Sequence, residues 1–380
     1  MASNSKVDIG FLEEKKSWLL HPRFFPSKVG GKPAWLDLKD LPSPNELLCK
    51  KCNDPLVFLC QIYAPYEESD TAFHRTIFLF ICRNGSCCRT NDSDNFIVLR
   101  CQLPRKNDFY SFEPYEEIET EVWFAKKSPV LCGIQAIIFI FYVLLQDFAM
   151  DKWPNLCNLC GCKGPSHCSK CKKTYYCSRK HQILDWQKGH KQMCPELQTA
   201  DSKPNNFIVT EAGKSILFKE WELIVDEEDE EDSKDVDVAE EMDKLRKLME
   251  EKKAGTLSNV SEDELEQYTK AMPEDKVFNK FNKRVARHPD QVLRYDRGGQ
   301  PLWITGNCGD SIMNVPNCQY CNGERQFEFQ IMPQLLNFIG VGIELNSIDW
   351  GVLAVYTCKS SCNQGPAYKE EVIIKQDLSS

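Results

Sequence analysis

An α+β, mainly β protein is predicted by this sequence, with two duplicated strand-rich halves folding as one body and a Cys/His segment and an acidic linker inserted between them. Three observations carry that prediction. Both ends of the chain are aromatic with short apolar runs, the first also proline-rich, the ends repeat one another around paired cysteines, and the middle concentrates metal-ligand residues followed by carboxylates.

The N-terminal half, residues 1–127, holds apolar runs such as Pro55 to Ile62 and Thr76 to Cys82. They are short, rich in β-branched and aromatic residues, and bounded by Pro, Asn and Gly, which reads as strands. A similar texture returns over residues 276–380. The repeat lies deeper than texture. Cys49-Lys-Lys-Cys52-Asn53 is echoed by Cys318-Gln-Tyr-Cys321-Asn322, and in register Phe58, Gln61 and Ile62 fall on Phe327, Gln330 and Ile331. A strand-like run ending at Cys82 precedes Cys87, as one ending at Cys358 precedes Cys362. Six aligned positions followed by a second Cys pair in the same order predict an internal duplication.

Between the halves lie three segments. Residues 128–152 form an apolar insertion. Its core, Val130 to Leu145, is shorter than the ~20 residues of a spanning helix and is interrupted by Gln135, which argues against a membrane span. A helix packed on the β body and a translated non-coding stretch are the other two readings. Residues 153–197 hold the Cys/His cluster. Residues 198–275 read as an acidic linker whose charged stretch begins at DEEDEED (226–232) and reaches about Lys253, with one amphipathic helix set by Met242, Leu245, Leu248 and Met249.

The net charge of −9 argues against a general nucleic-acid binder, and no direct nucleic-acid contact is expected. The first residues show no secretory signal, so the 20 cysteines are expected in a reducing compartment, cytosol or nucleus, as metal ligands before disulfides.

The central cluster runs Cys157-x2-Cys160-x7-Cys168-x2-Cys171-x5-Cys177-x3-His181-x8-His190-x3-Cys194. A Cys-x2-Cys turn brings two sulfurs to one tetrahedral zinc, and on a helix residues four apart share a face. Eight ligands make two closed tetrahedra with no open position for catalysis. Interleaving assigns Cys157, Cys160, Cys177 and His181 to one zinc and Cys168, Cys171, His190 and Cys194 to the other. Cys162 and His167 fall off the pattern and read as bystanders. Cys49, Cys52, Cys82 and Cys87 could hold a third zinc, and Cys318, Cys321, Cys358 and Cys362 a fourth, in a zinc-ribbon-like arrangement. The alternative is buried reduced thiols, and Cys88 competes with Cys87.

Tyr176-Cys177-Ser178, Trp186 and the final His190-x3-Cys194 make the cluster resemble the MYND finger, with His181 where most members have Cys. With Phe25 to Trp35, Gln61 to Pro65, Ala72 to Phe80, Gln102 to Tyr110, Leu293 to Tyr295, Glu328 to Leu336, Asp349 to Gly351 and Tyr356 to Cys358, nearly the whole chain resembles the programmed cell death protein 2 family. That resemblance implies a dedicated chaperone for a basic small-subunit ribosomal protein of the S5 type, supporting 40S assembly in cytoplasm and nucleus. Free edges or a groove on the strand-rich halves are expected to capture the client, aided by Asp226 to Asp232, with the finger as a separate docking surface. A protein–protein adaptor in transcription or proliferation and apoptosis control, binding proline-containing peptides at the finger, is the second class. No phosphate loop, metalloprotease motif or nucleophile elbow appears, so no enzyme is expected.

Overall fold

The computed structural model describes residues 6–115, 154–199, 210–229, 276–306, 314–342 and 347–378. The apolar insertion 128–152 and the helix expected around Met242 to Met249 lie outside these residues. Among the described residues no helix is long and apolar enough to cross a membrane.

Ten strands close into one barrel. In chain order they are β1 (Asp8–Glu13), β2 (Lys28–Val29), β3 (Val57–Tyr63), β4 (His74–Ile81), β5 (Phe96–Leu103), β8 (Trp221–Glu227), β9 (Leu293–Tyr295), β10 (Arg325–Ile331), β11 (Val352–Cys358) and β12 (Tyr368–Gln376). The finger adds a two-stranded ribbon, β6 (Ser166–His167) and β7 (Tyr175–Tyr176). Around the barrel the order is β1-β8-β2-β3-β4-β5-β12-β11-β10-β9, closing through antiparallel pairing of β9 with β1. Among the described residues helices are few and short, so the expected mainly β class is what forms there.

Two expectations are corrected by this topology. First, β8 lies inside the segment read as an acidic linker, yet it pairs along its length with β1 and, at Glu222 and Trp221, with β2. Asp226 and Glu227 are therefore strand residues rather than a free arm, and Glu228 is buried, bonded to Arg294 at 2.8 and 2.9 Å and to Arg284 at 2.8 Å. Burial works against ionisation of Glu228, but the two guanidiniums hold its carboxyl below the usual range. Second, ring closure leaves no free edge among the described barrel strands, so strand addition by a client is not available there.

The pairing registers repeat. β3 meets β4 with an irregularity between Phe58 and Cys60, and β10 meets β11 with one between Phe327 and Phe329, the same aligned place. The amide of Gln61 brackets the backbone of Ala34, accepting from its N–H at 2.8 Å and donating to its carbonyl at 3.3 Å. Gln330 does the same to Leu302 at 2.6 and 3.0 Å. Those two loops read Gly30-Gly31-Lys32-Pro33-Ala34-Trp35 and Gly298-Gly299-Gln300-Pro301-Leu302-Trp303.

β4 and β5 are buried at every position, so both of their faces are covered. The core joins Trp35, Phe78, Phe80 and Tyr368, with Trp35 edge-on to Tyr368 at 5.1 Å and near Phe78 at 5.2 Å. Charged side chains carried inward are matched across the halves. Arg75 on β4 bonds Glu328 on β10, with one contact at 2.7 Å, and Arg100 on β5 bonds Glu371 on β12 at 2.7 Å, a carboxylate that Arg325 also meets at 2.9 Å. Burial pushes Glu328 up, yet Arg75 outweighs it and holds the carboxyl at about 2.

Candidate metal centres

Four cysteine knuckles share one backbone device. In each, the residue after the second Cys returns its N–H to the carbonyl of the first: Asn53 to Cys49 at 2.9 Å, Gly161 to Cys157 at 2.9 Å, Lys172 to Cys168 at 2.9 Å and Asn322 to Cys318 at 2.8 Å. That residue is left-handed every time, with φ of 59, 73, 57 and 58° respectively. Gly and Asn accept this conformation readily, and Lys172 is the costlier exception. The tight turn aims both sulfurs of each knuckle at one point.

Other elements complete each set. In the finger, Ser178 caps helix α1 (Arg179–Asp185) by accepting from the His181 N–H at 3.2 Å, which fixes His181 one turn beyond Cys177. His190 ends a π-type turn, Trp186–His190, and Cys194 lies one turn further in α2 (Lys191–Thr199). In the barrel, Cys82 and Cys358 sit at the ends of β4 and β11, where the hairpins turn.

The structure brings together Cys49, Cys52, Cys82 and Cys87; Cys157, Cys160, Cys177 and His181; Cys168, Cys171, His190 and Cys194; and Cys318, Cys321, Cys358 and Cys362. Within each group the ligand atoms lie within 4.8 Å of one another. A tetrahedral zinc with sulfurs at ~2.3 Å demands an S···S edge of about 3.8 Å. The observed edges are 3.7 Å for Cys52–Cys82, 3.5 Å for Cys160–Cys177, 3.8 Å for Cys168–Cys194, 3.7 Å for Cys318–Cys362 and 3.6 Å for Cys321–Cys358. None approaches the ~2.05 Å of a disulfide. His181 presents Nδ1 at 3.1 Å from Cys177 Sγ, and His190 presents Nε2 at 3.6 Å from Cys171 Sγ. Residues and spacing fit zinc, which would crosslink the elements that carry the ligands.

The thiols show the tension that a cation relieves. Burial opposes ionisation of Cys157, but its sulfur and imidazole neighbours hold it well below the usual thiol range. Cys177 is driven up, chiefly by Cys157 and Cys160. At the C-terminal quartet burial again opposes, while the Cys362 N–H and neighbouring groups take Cys358 down to about 6, and burial takes Cys362 up to about 12. Several like charges are resisted in one small volume until a divalent ion offsets them.

The open choices resolve by position. Cys87 joins the first quartet, whereas Cys88 faces the Asp349 carbonyl at 2.8 Å and Lys375 Nζ at 3.5 Å. Cys162 is buried outside the quartets, and His167 is exposed on β6. Asp185 escaped the sequence reading. Buried in α1, it accepts from Tyr176 Oη at 2.8 Å and Asn158 Nδ2 at 2.9 Å, tying the finger's segments together. Carboxylates that brace a metal module carry no spacing signature.

Nor does the finger stand apart from the barrel. Trp35 Nε1 donates to the Gly161 carbonyl at 2.7 Å, Leu156 and Leu159 join the barrel's core, and Lys180 pairs with Asp54 at 2.7 Å.

Fold and ligands together define a closed β-barrel protein with a docked MYND-type zinc finger. The chain matches the family profiles of the programmed cell death protein 2 N-terminal domain over residues 6–117, the C-terminal domain of the same protein over 275–377, and the MYND finger over 157–194. Programmed cell death protein 2 of Rattus norvegicus is 41% identical over 98% of this chain and 96% of its own. The human programmed cell death protein 2-like is 27% identical over 92% and 90%. A Schizosaccharomyces pombe relative, probable 20S rRNA accumulation protein 4, is 25% identical over 96% and 94%. No solved structure matches. This chain belongs to the programmed cell death protein 2 family.

Proposed function

We propose that this protein is a dedicated, non-enzymatic chaperone for a basic small-subunit ribosomal protein of the S5 type and supports 40S assembly. The observation that carries the reading is full-length likeness to a relative whose name refers to 20S rRNA accumulation, which points toward ribosome biogenesis. An unassembled ribosomal protein is strongly basic and binds RNA nonspecifically, so it needs a partner that covers its charge. The net charge of −9 suits that partner and would speed encounter in a salt-dependent way. With the barrel edges closed, capture falls to side-chain surfaces and loops rather than to main-chain pairing. The chain acts in cytoplasm and nucleus, where ribosomal proteins travel.

Zinc belongs to this reading as structure: two ions in the finger and one in each outer quartet. The matched registers, the twin glutamine brackets and the twin Gly-Gly loops support descent of the two halves from one duplicated, zinc-ribbon-like unit. β8 would then belong with β2 to β5, and β1 with β9 to β12.

Depleting the protein is expected to lower the soluble S5-type protein and 40S subunits while 60S subunits persist, and co-expression should solubilise the client. Unchanged client solubility and 40S output would reject the reading. A protein–protein adaptor is the second reading, favoured by one observation. The finger exposes Ile183 and Met193, and a shallow open cleft on it is lined by Trp186, Gln187, Lys188, Gly189, Lys191 and Gln192. A proline-containing peptide would suit that surface. Titrating such a peptide against the wild type and Trp186→Ala tests it, with no difference in binding counting against it.

A further inference from the structure

The finger's first centre is buried and electrostatically unbalanced. Cys157, Cys160 and His181 are each 5% exposed or less. Three thiolates and a neutral imidazole around one divalent zinc leave a net negative charge. A charge held out of water needs a partner.

The barrel supplies one. Lys32, on the first Gly-Gly loop, is only 6% exposed. Burial works against its charge, and Cys157 and Cys160, then Asp185 and Glu220, act to hold it. Contact between loop and knuckle is close. A Cβ on Gly161 would lie 2.8 Å from the Lys32 Cβ and 3.2 Å from the Pro33 ring, at a φ of +73° that favours glycine besides. Trp35 Nε1 holds the same glycine by its carbonyl. The matching loop in the other half offers a contrast: Gln300 stands where Lys32 does, neutral and exposed.

We propose that Lys32 is a positioning residue for the finger's first zinc centre, its ammonium offsetting the metal–thiolate charge from the barrel side. Metal retention at Cys157, Cys160, Cys177 and His181 is thereby coupled to docking of the finger, whereas no ligand of the second centre is among the charged neighbours of Lys32. The two zinc ions of the finger differ in lability, the first being the slower to leave.

The full-length zinc-loaded protein tests this by exposure to excess chelator, with cysteine alkylation mapped by mass spectrometry over time. Lys32→Met should speed labelling of Cys157, Cys160 and Cys177 by about tenfold or more, the scale of losing an outer-sphere partner, with Cys168, Cys171 and Cys194 little changed. Lys32→Arg should stay near the wild type. Equal labelling rates in wild type and Lys32→Met would overturn the proposal. So would Lys32→Arg labelling as fast as Lys32→Met, because packing rather than charge would then be at work. Should Lys32→Met not fold, Lys32→Gln carries the same comparison.

Discussion

The two halves of the barrel make an internal comparison. Each has a cysteine knuckle, a bulged hairpin and a glutamine that brackets a Gly-Gly loop, yet the two loops live in different surroundings. In the first half the loop is roofed by the finger, with Lys32 and Trp35 buried at 6% and 1% exposure. In the second, Gln300 is exposed and Trp303 half-buried, and α3 (Lys276–Arg287) packs nearby through Phe281 in a small cluster with Ile304, Met332 and Val352. One architecture therefore supports an internal docking platform on one side and a more open face on the other. What differs is the covering element, and it changes the polarity that the loop residues require.

Breaking closure should have the largest effect. A chain lacking residues 116–260, joined by a flexible linker, loses β8 and with it the bridge between β1 and β2. It is expected to aggregate, whereas a chain lacking only 116–209 keeps β8 and should melt cooperatively. Scanning calorimetry compares them, and cooperative melting of the shorter chain would show that the two halves suffice as one body without β8.

Metal ligands come next. Structural zinc binding is folding free energy on the order of 10 kcal/mol. Cys177→Ala should unfold the finger and release zinc while the barrel persists. Cys358→Ala should instead lower the melting temperature of the barrel itself. Paired melting curves with zinc readout distinguish the two, and identical behaviour would erase the distinction between finger and barrel sites.

Smaller again is the charged core. Glu328→Ala strands the Arg75 guanidinium in a fully buried site and should cost about 3–5 kcal/mol. The pair also carries a pH signature. With the Glu328 carboxyl held at about 2, below its ordinary 4.5, its contribution is complete above about pH 4.5 and drains as pH falls toward 2. Urea midpoints of the wild type should fall through that window, and those of Glu328→Ala should fall less.

The glutamine brackets sharpen the comparison most finely. Gln61→Ala leaves the buried Ala34 backbone unpaired and should cost about 2 kcal/mol. Gln330→Ala, acting on half-buried Leu302 that water can reach, should cost about 1 kcal/mol. Equal losses would mean that the two loops are equally shielded.

Much of the ligand chemistry was legible in the sequence because metal binding is written locally. Cys-x2-Cys fixes a knuckle, and a four-residue step on a helix fixes the next pair. The mainly β texture was legible for a similar reason, from short apolar runs between turn residues. Ring closure was not, since it depends on β1 meeting β8 and β9 across more than half the chain. β8 itself was hidden by composition. Trp221 to Val225 is a short run interrupted by Glu222 that passes directly into carboxylates, and those dominate any window drawn around it. The Gly-Gly-x-Pro-x-Trp loops were a readable repeat, and comparing them would have exposed the special position of Lys32. Asp185 and the buried Arg–Glu pairs had no sequence signal, because their partners are set by tertiary packing alone.

Zinc stoichiometry tests the centre of this reading most directly. The four cysteine-containing quartets share one knuckle geometry and one range of ligand spacing, so all four should be filled. Native mass spectrometry of the intact protein, purified without chelator, is expected to show four zinc ions per chain. Two would contradict it, leaving the finger as the only metal module and the outer cysteines as buried reduced thiols.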